Sequence, residues 1–247
     1  METTTDGFLG GRLQIAQPVD GYRAATDPVY LAASIPAALG ESILDVGCGV
    51  GTASLCLGSR VAGLALTGLE LQSEYADLAR LNADNNEHDL NVVCANLGDL
   101  PADLRVQSFD HVMTNPPFFI GDNLSVPDNA AKVLAHVETM DLGSWIALSL
   151  KRLKSRGSFT IIHLANRLPT ILAAMDGACG DIRVLPIAAR NGRAAKRVLV
   201  QGIKTSKAPM SLLPPLIVHD GTAHERDGDD YSATTRQILR EGQALQL

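Results

Sequence analysis

From residue 42 to residue 178, short apolar runs and longer mixed stretches take turns, and that alternation restricts the chain to few architectures. Ser42–Val46, Ala65–Glu70, Asn91–Ala95, Phe109–Thr114 and Gly157–His163 read as strands. Thr52–Arg60, Ser73–Asn85, a long segment Asn129–Leu153 holding the single tryptophan (Trp145), and Arg167–Ala178 read as helices. Strands separated by helices return to the same end of a sheet and run parallel. The last two runs differ. Ile182–Ala189 and Arg197–Lys204 flank a stretch containing Asn191-Gly192, a strong turn signal, so a hairpin with one antiparallel edge strand is predicted near the C-terminus. The expected fold is α/β: a Rossmann-like, doubly wound, mainly parallel sheet of seven strands.

The flanks say less. Thr26 or Asp27 is expected to cap a helix that has Pro28 at its first position. Before it, only Leu13–Gln17 suggests a strand. Residues 1–247 are expected to form one domain, with 208–247 a partly looped extension that is acidic around Asp220–Asp230. No apolar run reaches the roughly 18 residues of a membrane span, and the N-terminus shows no secretory signal. Cys48, Cys56, Cys94 and Cys179 are scattered without a C-x-x-C pair, which fits reduced thiols in a cytoplasmic protein and no metal.

The net charge of −6 conceals an asymmetry. Residues 1–150 carry 19 acidic against 6 basic side chains, whereas residues 151–207 carry 12 basic against 2 acidic. A basic block in an acidic chain fits a polyanion partner, and it equally fits a plain solvated face. Lys151, Arg152, Lys154 and Arg156 follow a helix end, where cations are favoured anyway.

Two loops carry chemistry. Asp45-Val46-Gly47-Cys48-Gly49-Val50-Gly51-Thr52 joins the first strand to its helix. Its glycines let backbone approach a ligand, but Thr52 stands where a dinucleotide fingerprint needs a third glycine. An acid at the strand end suits a ligand carrying an ammonium and a sulfonium better than one carrying a pyrophosphate. Glu70, ending the next strand, is placed to accept from ribose hydroxyls.

The second loop is Asn115-Pro116-Pro117-Phe118, directly after a strand. Two prolines stiffen it and remove two N–H donors. The Asn115 side-chain carbonyl and the Pro116 carbonyl remain as acceptors for a flat group bearing an NH2, and Phe118 offers a stacking face. Paired acceptors on the amine hydrogens favour a pyramidal nitrogen and stabilise positive charge developing on it, with no general base or metal required. His136, Glu138 and His163 fit structural roles better than catalytic ones, and Cys48 is a small residue that fits its loop.

These loops, in this order, resemble the class I S-adenosylmethionine-dependent methyltransferases that modify amines. The resemblance is nearest to the bacterial tRNA(Val) adenine-N6 methyltransferases. It extends to Gly21-Tyr22-Arg23 with Thr26-Asp27, Glu70-Leu71-Gln72, Phe109-Asp110, Ala135–Glu138, Arg197–Gly202 and Pro215–His219. It implies that Asp45, Gly47 and Gly49 hold the methionine part of S-adenosylmethionine, with Thr26 and Asp27 nearby, so that segment 1–40 contributes to the cofactor site. It implies that Glu70 binds the ribose and Leu71 packs on the adenine. Asn96 and Leu97 stand where the family has an acidic adenine contact, with Asp99 an alternative, and Phe118 replaces the commoner tyrosine. Asn115, Pro116, Pro117 and Phe118 would be catalytic.

The implied partner is RNA, a tRNA above all. If Ile182–Ala189 is parallel to the main sheet, Arg190, Arg193, Lys196 and Arg197 at the hairpin tip stand beside the active site, facing phosphates. Glutamine-N5 methylation of a translation factor and guanine-N2 methylation of ribosomal RNA use the same chemistry. The former group usually carries an N-terminal helical domain, and only about 40 residues precede the glycine loop here. A non-catalytic RNA-binding or cofactor-sensing module is the reading from another class.

Overall fold

The computed structural model describes residues 1–117, 140–221 and 230–247. It opens with a hairpin of which only one arm was legible: β1 (Thr3–Phe8) pairs antiparallel with β2 (Leu13–Pro18). β1 is polar and largely exposed, so no apolar alternation marks it, whereas Leu13 and Ile15 of β2 are buried. The elements that follow are α1 (Asp27–Ser34), β3 (Ser42–Val46), α2 (Thr52–Arg60), β4 (Ala65–Glu70), α3 (Ser73–Asn85), β5 (Leu90–Cys94) and α4 (Ala102–Val106). After them come β6 (Phe109–Thr114), α5 (Leu142–Lys151), β7 (Leu153–Leu164), α6 (Leu168–Met175), β8 (Cys179–Ala188), β9 (Arg197–Lys204), β10 (Ser211–Leu212), β11 (Leu216–Ile217) and α7 (Ala233–Glu241).

Several boundaries differ from expectation for local reasons. Asp27 is the first residue of α1, Thr26 is its cap without a side-chain bond, and Pro28 is second. Of the long helix expected over 129–153, positions 129–139 lie outside the described residues, and α5 starts after Asp141. That side chain accepts from the Ser144 N–H at 2.9 Å, satisfying an otherwise orphaned helix donor. Leu153 already belongs to β7, whose first residue pairs with Phe109.

Among the described residues, nine strands form one sheet. The seven longer ones lie in the order β8-β9-β7-β6-β3-β4-β5, and the two-residue strands β10 and β11 both pair with β8. Every pairing is parallel except those of β9 with β7 and β8. The antiparallel strand is therefore present but not at an edge. α6 carries the chain past one strand's width, β8 runs parallel to β7, and the return strand β9 fills the gap.

Both faces of the sheet are covered, which explains why its strands read as continuous apolar runs. Successive residues alternate between two cores. Ile43, Met113, Ile162 and Leu199 face the core built with α1, α2, α3, α7 and β2. Their neighbours Leu44, Val112, Ile161 and Val200 face the core built with α4, α5 and α6. From β3 the chain proceeds to β4 on one side and later returns to β6 on the other. The sheet thus has its switch point between β3 and β6, where open α/β sheets form a crevice beyond the strand ends.

Candidate functional site

The register across the switch point places the two chemical loops together. Val46, last in β3, pairs with Thr114, last in β6, so Gly47 and Asn115 leave the sheet side by side. The Thr114 hydroxyl clips the two ends by donating to the Val46 carbonyl at 2.7 Å and accepting from Trp145 Nε1 at 3.0 Å. The indole also forms the floor of the glycine loop. Gly47 has φ +72, and a Cβ there would lie 3.1 Å from the Trp145 ring. Trp145 and Thr114 are functional supports that no local pattern revealed; the only signal was that the chain's single tryptophan stood on that helix.

The glycine loop is anchored to β4. Gly47 and Cys48 N–H both donate to the Leu69 carbonyl, at 2.8 and 3.0 Å. Gly49 N–H donates to Glu70 Oε2 at 2.9 Å, and Gln72 N–H to Glu70 Oε1 at 2.9 Å. Cys48 packs over Gly68, where an added Cβ would meet its sulfur at 2.7 Å. By contrast, a Cβ on Gly49 (φ +56) would meet nothing within 4 Å, so the loop's crest borders open space.

Two acids line this half of the site. Asp45 is 2% exposed and accepts from Ser54 Oγ at 2.8 Å. Burial, together with the nearby Glu70 charge, pushes its carboxyl up to about 7. Glu70 is 7% exposed, and burial raises its carboxyl too, although backbone N–H bonds work the other way. Burial disfavours the charged form of both acids, and a ligand bringing positive charge relieves that penalty. Each Glu70 oxygen already holds one N–H and has a second lone pair to offer a hydroxyl. These features fit the ammonium and ribose of S-adenosylmethionine.

The other expected cofactor residues divide. Leu71 is 42% exposed beside Glu70. Thr26 and Asp27 begin α1, and Asp27 Oδ2 accepts from Arg197 Nε at 2.9 Å. Asn96 Oδ1 accepts from Gly98 N–H at 2.8 Å, closing its own turn. The Leu97 side chain is buried in the second core. Asp99 has a 92% exposed side chain 3.6 Å from Arg105, and its N–H donates to the Asn96 carbonyl at 2.9 Å, so both polar candidates share the turn after β5.

On the acceptor side, Asn115 is partly exposed, Pro116 buried and Pro117 exposed; Phe118, His136 and Glu138 lie outside the described residues. Asn115 Nδ2 donates to the Tyr22 hydroxyl at 3.1 Å. β8 runs parallel to β7, so the β8–β9 turn does lie on the site's side of the sheet. The four expected basic residues are not equivalent there. Arg190 is bonded to Asp230 and the Asp220 carbonyl, and Arg197 to Asp27. Arg193 and Lys196 are exposed.

A family model described as the methyltransferase small domain matches residues 28–186. A Porphyromonas gingivalis protein named tRNA1(Val) (adenine(37)-N6)-methyltransferase is 31% identical over 176 residues, spanning 66% of this chain and 67% of that protein. An Actinobacillus succinogenes protein of the same name is 25% identical over 205 residues, spanning 82% of this chain and 85% of the relative. A solved structure from Agrobacterium tumefaciens, described as a predicted O-methyltransferase, shares the fold. It superposes with a TM-score of 0.70 at 24% identity and covers 90% of this chain and 99% of its own.

The chain belongs to the methyltransferase small domain family. It is an S-adenosylmethionine-dependent methyltransferase, and S-adenosylmethionine is its cofactor.

Proposed function

We propose that the chain methylates N6 of an adenine in a tRNA. The observation that carries this reading is the pairing of Val46 with Thr114, which brings the Asn115 acceptor loop and the glycine loop out of the sheet as neighbours. The names of the relatives, tRNA1(Val) (adenine(37)-N6)-methyltransferase, support the substrate class. A tRNA substrate in turn implies a cytoplasmic place of work.

In this reading Asp45 takes the ammonium of the cofactor, Gly47 and Gly49 admit its methionine chain, and Thr26 and Asp27 border that end. Glu70 takes the ribose hydroxyls, Leu71 packs on the adenine, and Asn96 with the Leu97 backbone borders its edge. S-adenosylmethionine supplies an electrophilic methyl group on a sulfonium. Asn115 Oδ1 and the Pro116 carbonyl accept from the two hydrogens of the target amine. They favour the geometry in which its lone pair leaves conjugation and stabilise the charge that develops. Pro117 stiffens the bend, and Phe118 stacks on the extruded base. The extra proton leaves to water. Arg193 and Lys196 meet backbone phosphates, while Arg190 and Arg197 shape the same surface through their acidic partners.

The experiment is direct. Protein is incubated with methyl-labelled S-adenosylmethionine and separate tRNA, ribosomal RNA and protein fractions, and the labelled product is digested and analysed by mass spectrometry. N6-methyladenosine in tRNA is expected. Label in glutamine, in guanine, or on a hydroxyl would replace this reading by the corresponding alternative. Asn115→Ala should lose turnover while still binding S-adenosylmethionine.

A further inference from the structure

We infer that Tyr22 is a positioning residue: its hydroxyl, by accepting Asn115 Nδ2, sets which limb of the Asn115 amide faces the acceptor amine. This rests on the proposed role of Asn115 as an amine acceptor and adds to it. An asparagine has one donor limb and one acceptor limb, and a half-turn about the side-chain axis exchanges them. In the exchanged state an NH2 would face the substrate NH2, and the stabilisation would become repulsion. A residue with this task needs a partner that selects one state.

Tyr22 has the chemistry for it. Its hydroxyl lies 3.1 Å from Asn115 Nδ2, joining residues 93 positions apart. The residue is 52% exposed and its bond to Asn115 is open to solvent, while Asp27, Asp45 and Arg197 lie near enough to act on the phenol. Burial first, then the charge of Asp27, pushes the phenol up to about 12, so it stays protonated at any working pH. In the structure the phenol oxygen accepts and the Asn115 amide donates, so the carbonyl limb of the amide is turned to the other side.

The segment bearing Tyr22 is held far more firmly than an exposed loop requires. Tyr22 N–H donates to the Tyr75 hydroxyl at 3.0 Å. Gly21 has φ +113, and a Cβ there would come within 2.6 Å of that hydroxyl, so glycine is needed for the close approach. Arg23 binds Asp6, the Thr4 hydroxyl and the Pro18 carbonyl of the N-terminal hairpin. Ala24 N–H donates to the buried Gln17 side chain at 2.7 Å. The hairpin itself is bolted to the rest by Asn82, which bonds the Ala16 N–H and carbonyl and also the Val50 carbonyl in the glycine loop. The N-terminal hairpin thereby acts as a brace that delivers one hydroxyl to Asn115.

Tyr22→Phe removes that hydroxyl and keeps the ring. The test measures kcat and KM with a transcribed tRNA(Val), and S-adenosylmethionine affinity by calorimetry, in two backgrounds. With Asn115 intact, kcat should fall about tenfold, while KM and cofactor Kd stay within twofold. In the Asn115→Asp protein both limbs are acceptors and no limb needs selecting, so adding Tyr22→Phe should change kcat less than twofold. Equal losses in both backgrounds, a loss that appears in cofactor Kd, or no loss at all would overturn the proposal. So would an inactive Asn115→Asp protein, since two acceptor limbs would then not suffice. If Asn115→Ala is fully active, the reading of the site has failed; if it is inactive while Tyr22→Phe is unaffected, only the role of Tyr22 falls.

Discussion

The cofactor half and the acceptor half of this site are built by opposite means. Asp45 and Glu70 are almost wholly buried, sit at the ends of interior strands, and are held by bonds to residues close in the fold, Ser54, Gly49 and Gln72. Asn115 and Tyr22 stand partly open to solvent and are positioned from the side, by a hairpin at the other end of the domain sequence. A ligand that never varies can be met by a rigid, desolvated socket. On the proposed reading an RNA chain must enter and leave, so the groups that would meet it remain exposed, and their precision comes from a brace and not from burial.

The comparison breaks first at Asn115. Removing one preorganised hydrogen-bond donor from an oxyanion hole costs about 10²–10³ in rate, and an acceptor aimed at developing positive charge is expected to matter on that order. Asn115→Ala should therefore lose at least that in single-turnover methylation, with cofactor affinity inside about threefold. A matching loss of affinity would mean that the two halves are not separable.

Asp45 gives the next largest effect, and its sign depends on the ligand. Its carboxyl rises from 3.8 to about 7 on folding, so folding takes up a proton between those values. The ligand-free protein therefore loses stability as pH rises through that window, by on the order of a few kcal/mol in full. Asp45→Asn should raise the melting temperature of the free protein at pH 8 and yet weaken S-adenosylmethionine binding. In the unaltered protein, cofactor affinity should fall as pH drops below about 7. Affinity that is flat from pH 6 to 8 would exclude Asp45 as the ammonium partner.

On the acceptor side the effects are smaller and salt-dependent. Replacing Arg193 and Lys196 by Ser should weaken tRNA binding and reduce the slope of log K against log salt by about 0.7–0.9 per lost phosphate contact. Arg197→Ser should instead disturb Asp27 and leave most of that slope in place. A fluorescence-anisotropy titration at three salt concentrations separates the two. The smallest change is expected from Trp145→Phe, which removes the bond to Thr114 and the outer indole edge that lies against Gly47. A loss of about 0.5–1.5 kcal/mol in urea unfolding is expected, with turnover nearly unchanged.

Much of this site was legible in the chain, because the elements that carry it are local. Strand runs such as Ser42–Val46 and Phe109–Thr114 end where their apolar character ends. Glycine at 47, 49 and 51 and proline at 116 and 117 declare their backbone constraints wherever they occur. What stayed hidden depends on distance. Arg197 and Asp27 are 170 positions apart, Tyr22 and Asn115 are 93, and nothing near either member announces its partner. The interior place of β9 likewise depends on how far α6 carries the chain, and β1 forms because β2 offers it an edge. Residue type and short spacing determined the strands, the two loops and the kind of ligand they suit. Packing alone decided which basic side chains are paired, and which hydroxyl faces the amide, because a contact between distant segments is selected by the whole fold.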